Sequence, residues 1–167
     1  RLGYRTAHRS TRYIYQPTTE QTVPAGIVPL SEVPFAGLAA YDRRRFFAAR
    51  EAFLRKWITQ PGAVAFGFVE AGALKGYGVL RKCRVGYKIG PLLADGPDIA
   101  SALFAALSNC AVGAPVAMDI PEPNRAALQL AARHGMQGDF TCERMYLKGD
   151  PGLPLDNIYG MTTLFMG

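Results

Sequence analysis

Runs of apolar residues separated by short polar segments predict a chain rich in strands. Strands of this kind are predicted over residues 63–69, 74–80, 85–93 and 115–120. Glu70, Ala71 and Gly72 have the composition of a tight turn, so the first two of these strands are expected to form a hairpin. Two more strands are predicted near 141–147 and 157–165, joined by the Pro- and Gly-rich segment 149–154.

Two later segments carry apolar residues at helical spacing. Within the segment 98–110 the apolar side chains that share one helical face are those at positions 99, 103, 104 and 107. The segment 124–134 is predicted to be a second amphipathic helix, with Gly135 as its C-terminal stop. Both segments therefore predict helices that pack one face against a sheet.

The N-terminal third is less regular. Residues 35–57 are predicted to be helical, with a break near Tyr41 and Asp42. Residues 16–26 are polar and flanked by Pro, which predicts a linker or an extended entry strand, and a short apolar segment follows at 27–30. The predicted order is then strand, helices, three strands, helix, strand, helix and two strands. A strand–helix–strand unit between hairpins indicates a mixed sheet with helices on both faces.

Composition narrows the class of protein. The 167 residues suit one globular domain, since 49% are hydrophobic and 19% are charged. No apolar run reaches the ~18 residues of a membrane-spanning helix, so no membrane association is expected. Three widely spaced cysteines argue against a disulfide framework and a zinc site. We therefore expect no metal site, a cytoplasmic location and thiols that serve as small core residues; these cysteines are Cys83, Cys110 and Cys142.

The net charge of +6 is unevenly distributed. Four arginines fall within the first twelve residues, before any acidic residue: Arg1, Arg5, Arg9 and Arg12. A second cluster lies among aromatic residues on the predicted helix, and it comprises Arg43, Arg44, Arg45, Arg50, Arg55 and Lys56. This cluster fits a solvated basic face, a groove for an anionic ligand or a nucleic-acid surface. No helix-turn-helix, zinc-finger or RNA-binding motif supports nucleic acid as a partner.

Residues 124–136 carry a more specific motif. They resemble the fourth-helix signature of the GNAT superfamily of acetyl-CoA-dependent N-acyltransferases, Asn-x-x-Ala-x-x-Leu-Tyr-x-x-x-Gly-Phe. The matching positions are Asn124, Ala127, Leu130 and Gly135, with Met136 in place of Phe. An ordinary helix with an Asn cap and a Gly stop shares part of this pattern. The order of elements also matches, so the resemblance implies a mixed α/β, GNAT-like acyl-CoA N-acyltransferase fold whose central sheet has six to seven strands.

The beginning of the chain repeats part of this pattern. Residues 1–5 and 12–15 resemble residues 133–137 and 144–147, with a constant offset of 132 positions. The chain therefore resembles the C-terminal domain of a tandem-GNAT acetyltransferase. This implies a remnant of a preceding GNAT domain at 1–15, a linker or entry strand at 16–26 and a GNAT-like domain at 27–167. The preceding domain of the same chain is the expected partner.

The resemblance also implies where acetyl-CoA would bind. In the family the pantetheine arm lies in the gap between the fourth and fifth strands, and here the fourth strand is 85–93. Gly90 and Pro91 are expected to form a bulge, because Pro cannot donate to a ladder. The pyrophosphate would sit at the start of the next helix. The candidate cofactor-binding residues are Ile89, Gly90, Leu92, Leu93, Ala94, Asp95, Gly96, Asp98, Ile99, Ala100 and Asn124.

The predicted pyrophosphate loop departs from the family pattern, Gln/Arg-x-x-Gly-x-Gly/Ala. Asp95, Asp98 and Ala100 occupy its three marked positions, and Ala100 alone fits. Asp98 is expected to cap the helix itself, which would use the N–H groups that a phosphate needs. The two carboxylates would also repel a pyrophosphate.

Catalytic residues are less well defined. The resemblance implies direct attack of a neutral amine on the thioester, with a general base and a Tyr that protonates the thiolate. The usual Tyr position in the signature is Ala131 here, so the alternative candidates are Tyr87, Tyr146 and Tyr159. Each also fits a half-buried structural tyrosine.

Two principal functions follow. The first is an acetyl-CoA-dependent N-acetyltransferase that acts on a primary amine of a small molecule or peptide, with this chain as the C-terminal domain of a two-domain enzyme. The second is a catalytically degenerate GNAT-like module that binds substrate or braces an active N-terminal domain. An anion-binding or nucleic-acid-binding module that uses the arginine clusters is the third hypothesis.

Overall fold

The computed structural model describes residues 3–165, which form eight strands and four helices. The strands are β1 (Arg5–Tyr15), β2 (Ile27–Pro29), β3 (Val64–Glu70), β4 (Ala73–Lys82), β5 (Tyr87–Ala94), β6 (Val116–Pro121), β7 (Gln137–Tyr146) and β8 (Ile158–Gly160). The helices are α1 (Phe35–Arg43), α2 (Glu51–Ile58), α3 (Pro97–Asn109) and α4 (Arg125–Arg133). Single 3₁₀ turns precede α1 and β8.

All eight strands belong to one sheet, in the order β2-β3-β4-β5-β6-β1-β7, with β8 paired to β5. The β5–β6 pair is parallel and the other pairs are antiparallel. Helix α3 makes the crossover between β5 and β6, as the strand–helix–strand pattern predicts. The mixed α/β fold class is therefore confirmed, with more strands in the described chain than the six to seven expected.

The sheet carries a hydrophobic core on each face. On the front face, α1 and α2 cover side chains of β4 and β5, including Tyr77, Val79 and Leu93. On the back face, α3 and α4 cover the alternate side chains, including Leu80 and Ile89. The alternation follows from the two-residue repeat of a strand, and it places each side chain of the sheet on a known face.

Helix α3 lies very close to β4. A Cβ at Gly76 would come 2.8 Å from Ile99 Cγ2, and a Cβ at Gly78 would come 2.7 Å from Leu107 Cδ1. Only glycine permits this spacing, so the two positions let the helix pack directly on the strand. No helix in the described part of the chain is long and apolar enough to cross a membrane.

Strand β1 lies inside the sheet, between β6 and β7. Its register pairs Ser10 with Pro121 of β6 and with Cys142 of β7. The predicted boundary at residue 27 therefore does not separate two structural units, because the sheet formed by later residues has β1 as an interior strand. Derivation of residues 1–15 from a preceding domain stays a prediction, and Arg1 lies outside the described residues.

Several local predictions need correction. The helical segment 35–57 is broken, as predicted, but the break lies after Arg43, at residues 44–50, and the last predicted strand is limited to Ile158–Gly160. Residues 16–26 form no strand, which overturns the entry-strand alternative and leaves the linker alternative, and Gln21 exchanges two 2.8 Å hydrogen bonds with Asn109 of α3. The cysteines are free thiols but not core residues: Cys110 is exposed, and Cys83 and Cys142 are partly exposed.

Candidate functional site

The parallel strands β5 and β6 pair along only part of their length. Tyr87–Ile89 of β5 pairs with Val116–Met118 of β6, and the two strands separate beyond this point. The β4–β5 ladder shifts register just after Ile89, where Gly90 and Pro91 lie, so the predicted bulge is confirmed. The structure therefore contains the gap in which the resemblance places a pantetheine arm.

Strand β8 lies in this gap. It pairs antiparallel with the second half of β5, with Leu92 opposite Gly160 and Leu93 opposite Ile158. On the other side, the Met161 N–H donates to the Asp119 carbonyl of β6 at 2.8 Å. The chain's own C-terminal segment thus bridges the two strands at the position of the predicted ligand.

Asn124 fixes the segment that leads into β8. Its Oδ1 accepts a 2.9 Å hydrogen bond from the Ala127 N–H, so Asn124 caps α4. Its Nδ2 donates to three backbone carbonyls at 3.0–3.2 Å, those of Leu155, Asp156 and Ile158. The oxygen and the nitrogen of this side-chain amide, which was predicted to bind the cofactor, are therefore both hydrogen-bonded within the protein.

The gap has little free space around β8. A Cβ at Gly90 would come 2.5 Å from the Met161 carbonyl oxygen, and a Cβ at Gly160 would come 3.0 Å from Met118 Cγ. At the C-terminal end of β5, the Asn157 side chain closes the gap by donating to the Ala94 carbonyl at 3.1 Å. Backbone and side chains here pack as a continuous interior.

The N-terminus of α3 is acidic. Its N-cap is Gly96, followed by Pro97, and no side chain caps the helix, so the predicted cap by Asp98 is wrong. A cavity of about 370 Å³ opens beside this helix end, and its lining includes Glu70, Asp95 and Asp98. Among the described residues that line this cavity there is no Lys or Arg. Predicted site residues Ile99 and Ala100 lie in the same first turn of α3.

Asp95 has partners from the α1 region. It accepts a 2.9 Å hydrogen bond from the Tyr41 hydroxyl and forms an ion pair with Arg45. The guanidinium of Arg45 also lies 3.6 Å from the centroid of the Tyr41 ring. Arg45, one of the arginines predicted to line a possible anion groove, is therefore already paired with a carboxylate of the same chain.

A second buried cluster ties the α1–α2 connection to the sheet. Asp42 is 2% exposed and accepts two 2.7 Å hydrogen bonds from Arg50 and one of 2.5 Å from the Tyr77 hydroxyl. Burial raises the pKa of Tyr77 well above its ordinary value, and the nearby Asp42 charge adds to this effect. Arg45 and Arg50 are thus structural side chains, and the solvated-face hypothesis does not describe them.

The candidate tyrosines lie on three different strands. Tyr87 begins β5, Tyr146 ends β7, and Tyr159 is buried at the centre of β8. Within residues 3–165, no hydrogen bond or ring contact joins any two of them. Burial raises the pKa of both Tyr146 and Tyr159. The structure therefore does not assemble them into one proton-transfer group, and a catalytic role for each stays a prediction.

These observations test whether acetyl-CoA fits the predicted residues. β8 bonds to the backbone of Leu92 and Leu93, the Asn124 amide is fully used, and the α3 loop carries carboxylates where a pyrophosphate needs donors. The residues around this gap do not fit the cofactor in the described conformation. Elsewhere in this part of the chain, no group of three or more His, Cys, Asp and Glu side chains is placed to hold a metal ion.

Comparison with known proteins gives the class. A family model described as an acetyltransferase (GNAT) domain matches residues 38–160. This match covers well over half of the sequence, so the chain belongs to the GNAT family of acetyltransferase domains. The predicted resemblance to the GNAT family is therefore confirmed. The activity associated with this family model is acyl transfer.

Individual relatives are more distant. The chain is 22% identical over 166 residues to the holothin acyltransferase of Pseudoalteromonas sp. (strain SANK 73390), covering 99% of this chain and 56% of that protein. A candidate acetyltransferase from Pyrococcus horikoshii has a TM-score of 0.80 at 24% identity, covering 96% of this chain and 52% of that one. A GNAT-family acetyltransferase from Colwellia psychrerythraea has a TM-score of 0.55 at 15% identity, covering 85% and 55%. The chain thus spans about half the length of these relatives.

Proposed function

We propose that this chain is one domain of a two-domain N-acyltransferase that transfers an acetyl group from acetyl-CoA to a primary amine. In this proposal the described domain does not bind the donor and serves as the non-catalytic half that braces a preceding catalytic domain. The observation that carries the proposal is β8, which is bonded to the part of β5 that a pantetheine arm would use. The two-domain part is supported by relatives about twice as long as this chain.

Burial of the C-terminal segment supports a permanent role for it in the gap. Ile158, Tyr159 and Met161 are each at most 5% exposed and contribute to the cores of both faces. Burying one large apolar side chain stabilises a protein by roughly 1.5–3 kcal/mol. A ligand that displaced this segment would therefore first lose several kcal/mol of binding free energy.

Electrostatics supports the same conclusion. A pyrophosphate at the α3 N-terminus would lie beside the carboxylates of Glu70, Asp95 and Asp98. Arg45 compensates part of the Asp95 charge, but its guanidinium is only 8% exposed and is already paired. Like charges at such short range oppose binding more strongly than one helix N-terminus favours it.

Isothermal titration with acetyl-CoA tests the proposal. We expect no saturable binding to this chain up to about 1 mM ligand, a limit that corresponds to about −4 kcal/mol of binding free energy. We expect one equivalent to bind to the full-length protein. Release of free CoA thiol, followed with a chromogenic disulfide and a panel of primary amines, should occur with the full-length protein and not with this chain.

The non-catalytic role and the acyltransferase assignment would be overturned by different results. One-to-one binding of acetyl-CoA by this chain, or acetyl transfer by it, would overturn the non-catalytic role. Absence of binding and turnover in the full-length protein would overturn the acyltransferase assignment. A cooperative thermal unfolding transition of this chain, recorded in the same buffer, verifies that negative results come from folded protein.

A further inference from the structure

A separate cavity of about 330 Å³ opens on the front face of the sheet, at the start of β5 and β6. Its lining includes basic, thiol, phenol and acidic side chains: Arg12, Arg81, Lys88, Cys83, Tyr87 and Asp139. β8 pairs with the second half of β5, whereas this cavity lies at the first half of that strand. The cavity is therefore distinct from the gap that β8 fills. Five strands, β1, β4, β5, β6 and β7, contribute to it, which gives the cavity a rigid frame.

A buried carboxylate organises two of the cations. Asp119 is fully buried and accepts hydrogen bonds from Arg12 at 2.7 Å and 3.2 Å. It also forms an ion pair with Lys88, whose side chain is 4% exposed. One negative charge is thus shared between two positive charges, which leaves this triad with a net charge of about +1 at neutral pH.

Arg81 adds a third cation that no carboxylate compensates. Among the described residues it forms no ion pair, and its Nη1 donates to the Cys83 thiol at 3.3 Å. Its guanidinium lies 5.4 Å from the centroid of the Trp57 ring, which limits its motion. Its Nε is buried without a hydrogen-bond acceptor.

The charge balance favours a small anion. Asp139 lies at the exposed rim, so three cations face two carboxylates around the cavity. Burial is the main cause that lowers the pKa of Lys88 despite its pairing with Asp119, and the charges of Arg12 and Arg81 act in the same direction. An oxyanion near these groups would offset that repulsion, whereas a cation would increase it.

We infer that this cavity binds a small ligand through a carboxylate or phosphate group, with Arg81 as the principal donor. Guanidinium groups bind both kinds of oxyanion through charge-assisted N–H donors, and the Arg81 side chain lines the cavity without a carboxylate partner. Arg12 and Lys88 contribute positive charge from the buried triad. The inference does not depend on acyl transfer or on the role of β8.

Titration of the isotopically labelled chain tests the site. Inorganic phosphate and acetate, each added at constant ionic strength against chloride, distinguish the two kinds of oxyanion. We expect saturable shifts of the backbone amide resonances of Cys83 and Tyr87 with at least one of them. Arg81→Gln should weaken that binding by at least about tenfold, because a charge-assisted hydrogen bond is lost. Arg84→Gln, an exposed charge outside the cavity lining, should change it by less than about twofold.

The conservative variant separates charge from geometry. Arg81→Lys retains the charge but lacks the planar set of guanidinium N–H donors, so binding should fall between wild type and Arg81→Gln. Non-saturable shifts with both anions, or equal loss in the Arg81 and Arg84 variants, would overturn the inference and indicate a diffuse electrostatic effect. The spectrum of each variant without ligand shows whether it retains the fold, and Arg81→Lys provides the test if Arg81→Gln does not.

Discussion

At the scale of single residues, His8 is a buried side chain that its surroundings disfavour in the charged form. It lies on β1 opposite Arg144 of β7, it is 7% exposed, and neither ring nitrogen has a hydrogen-bond partner. Burial is the main cause that lowers its pKa below the ordinary value of 6.5, and Arg144 acts in the same direction. Asp150 opposes this shift but does not cancel it. His8 is therefore neutral in the folded protein at neutral pH.

This lowered pKa predicts a loss of stability in mild acid. As pH falls through 6.5, the unfolded chain takes up a proton at His8 before the folded chain does, so the free energy of unfolding decreases. His8→Gln removes this titration and should flatten the decrease between about pH 7.5 and pH 5. Urea unfolding at several pH values measures the slope.

The chain has a second histidine that serves as a control. Burial also lowers the pKa of His134, so its replacement removes an independent contribution. The slope in His134→Gln should therefore decrease further when His8→Gln is added. An unchanged pH slope in the His8→Gln variant would contradict the assignment of His8.

Asn124 shows how far sequence reasoning reaches at this scale. Its position before an amphipathic helix predicts an N-cap, and the bond to the Ala127 N–H confirms it. The family resemblance also implies a cofactor-binding role for it, which stays a prediction. Its donation to carbonyls 31–34 residues further along could not be predicted, because no local pattern encodes which distant backbone will reach a free amide.

At the scale of elements, the contact between β5 and the segment after β8 depends on Gly90. Gly90→Ala would place a methyl group 2.5 Å from the Met161 carbonyl, so the segment must move. We expect a loss of about 1–3 kcal/mol in the free energy of unfolding, as is typical of overpacking. Hydrogen exchange at residues 158–162 should become faster, since the ladder with β5 is weakened.

A second glycine provides the matched control. Gly37 lies on the exposed side of α1, and a Cβ there would contact nothing within 4 Å. Gly37→Ala should leave exchange at residues 158–162 unchanged and stabilise the helix by up to about 1 kcal/mol. Equal exchange rates in the Gly90→Ala variant and wild type would contradict the packing of this segment against β5.

Long elements were predicted more accurately than short ones. α3 and α4 have many residues at helical spacing, and their predicted bounds agree with the structure within one or two positions. β8 has three residues, which is too few for any periodicity, and its pairing with Leu92 and Leu93 joins positions over 60 residues apart. The occupation of the β5–β6 gap by β8 could therefore not be predicted from the sequence, although the acidic residues Asp95 and Asp98 at the start of α3 could.

At the scale of the whole molecule, β1 is required to complete the sheet. Removal of residues 1–16 would leave β6 and β7 without their shared partner and Asp119 without Arg12. We expect the shortened chain to lose cooperative unfolding, as monitored by circular dichroism in urea. A synthetic peptide of residues 1–16, added in excess, should restore the transition, and a peptide with Thr11→Pro should not. A shortened chain with unchanged unfolding free energy would contradict this role.

The folded molecule also shows a different role for the N-terminal positive charge than the sequence predicts. From the sequence, the N-terminal arginines belong to the end of another domain. In the structure Arg12 lies in an interior strand and is paired with a buried carboxylate. The charge of Arg12 is evident from the sequence but its partner Asp119 is not, because no local pattern near β1 or β6 encodes their pairing.

The interior position of β1 has a consequence for biosynthesis. The strand leaves the ribosome before the rest of the domain, yet its contact with β7 joins distant residues such as Thr6 and Glu143, which are 137 positions apart. Such high contact order slows folding. During translation β1 must remain unpaired until β6 has been made, and its other edge stays open until β7 follows. Its polar side chains, which include Thr6, Arg9 and Thr11, help to limit aggregation in that interval.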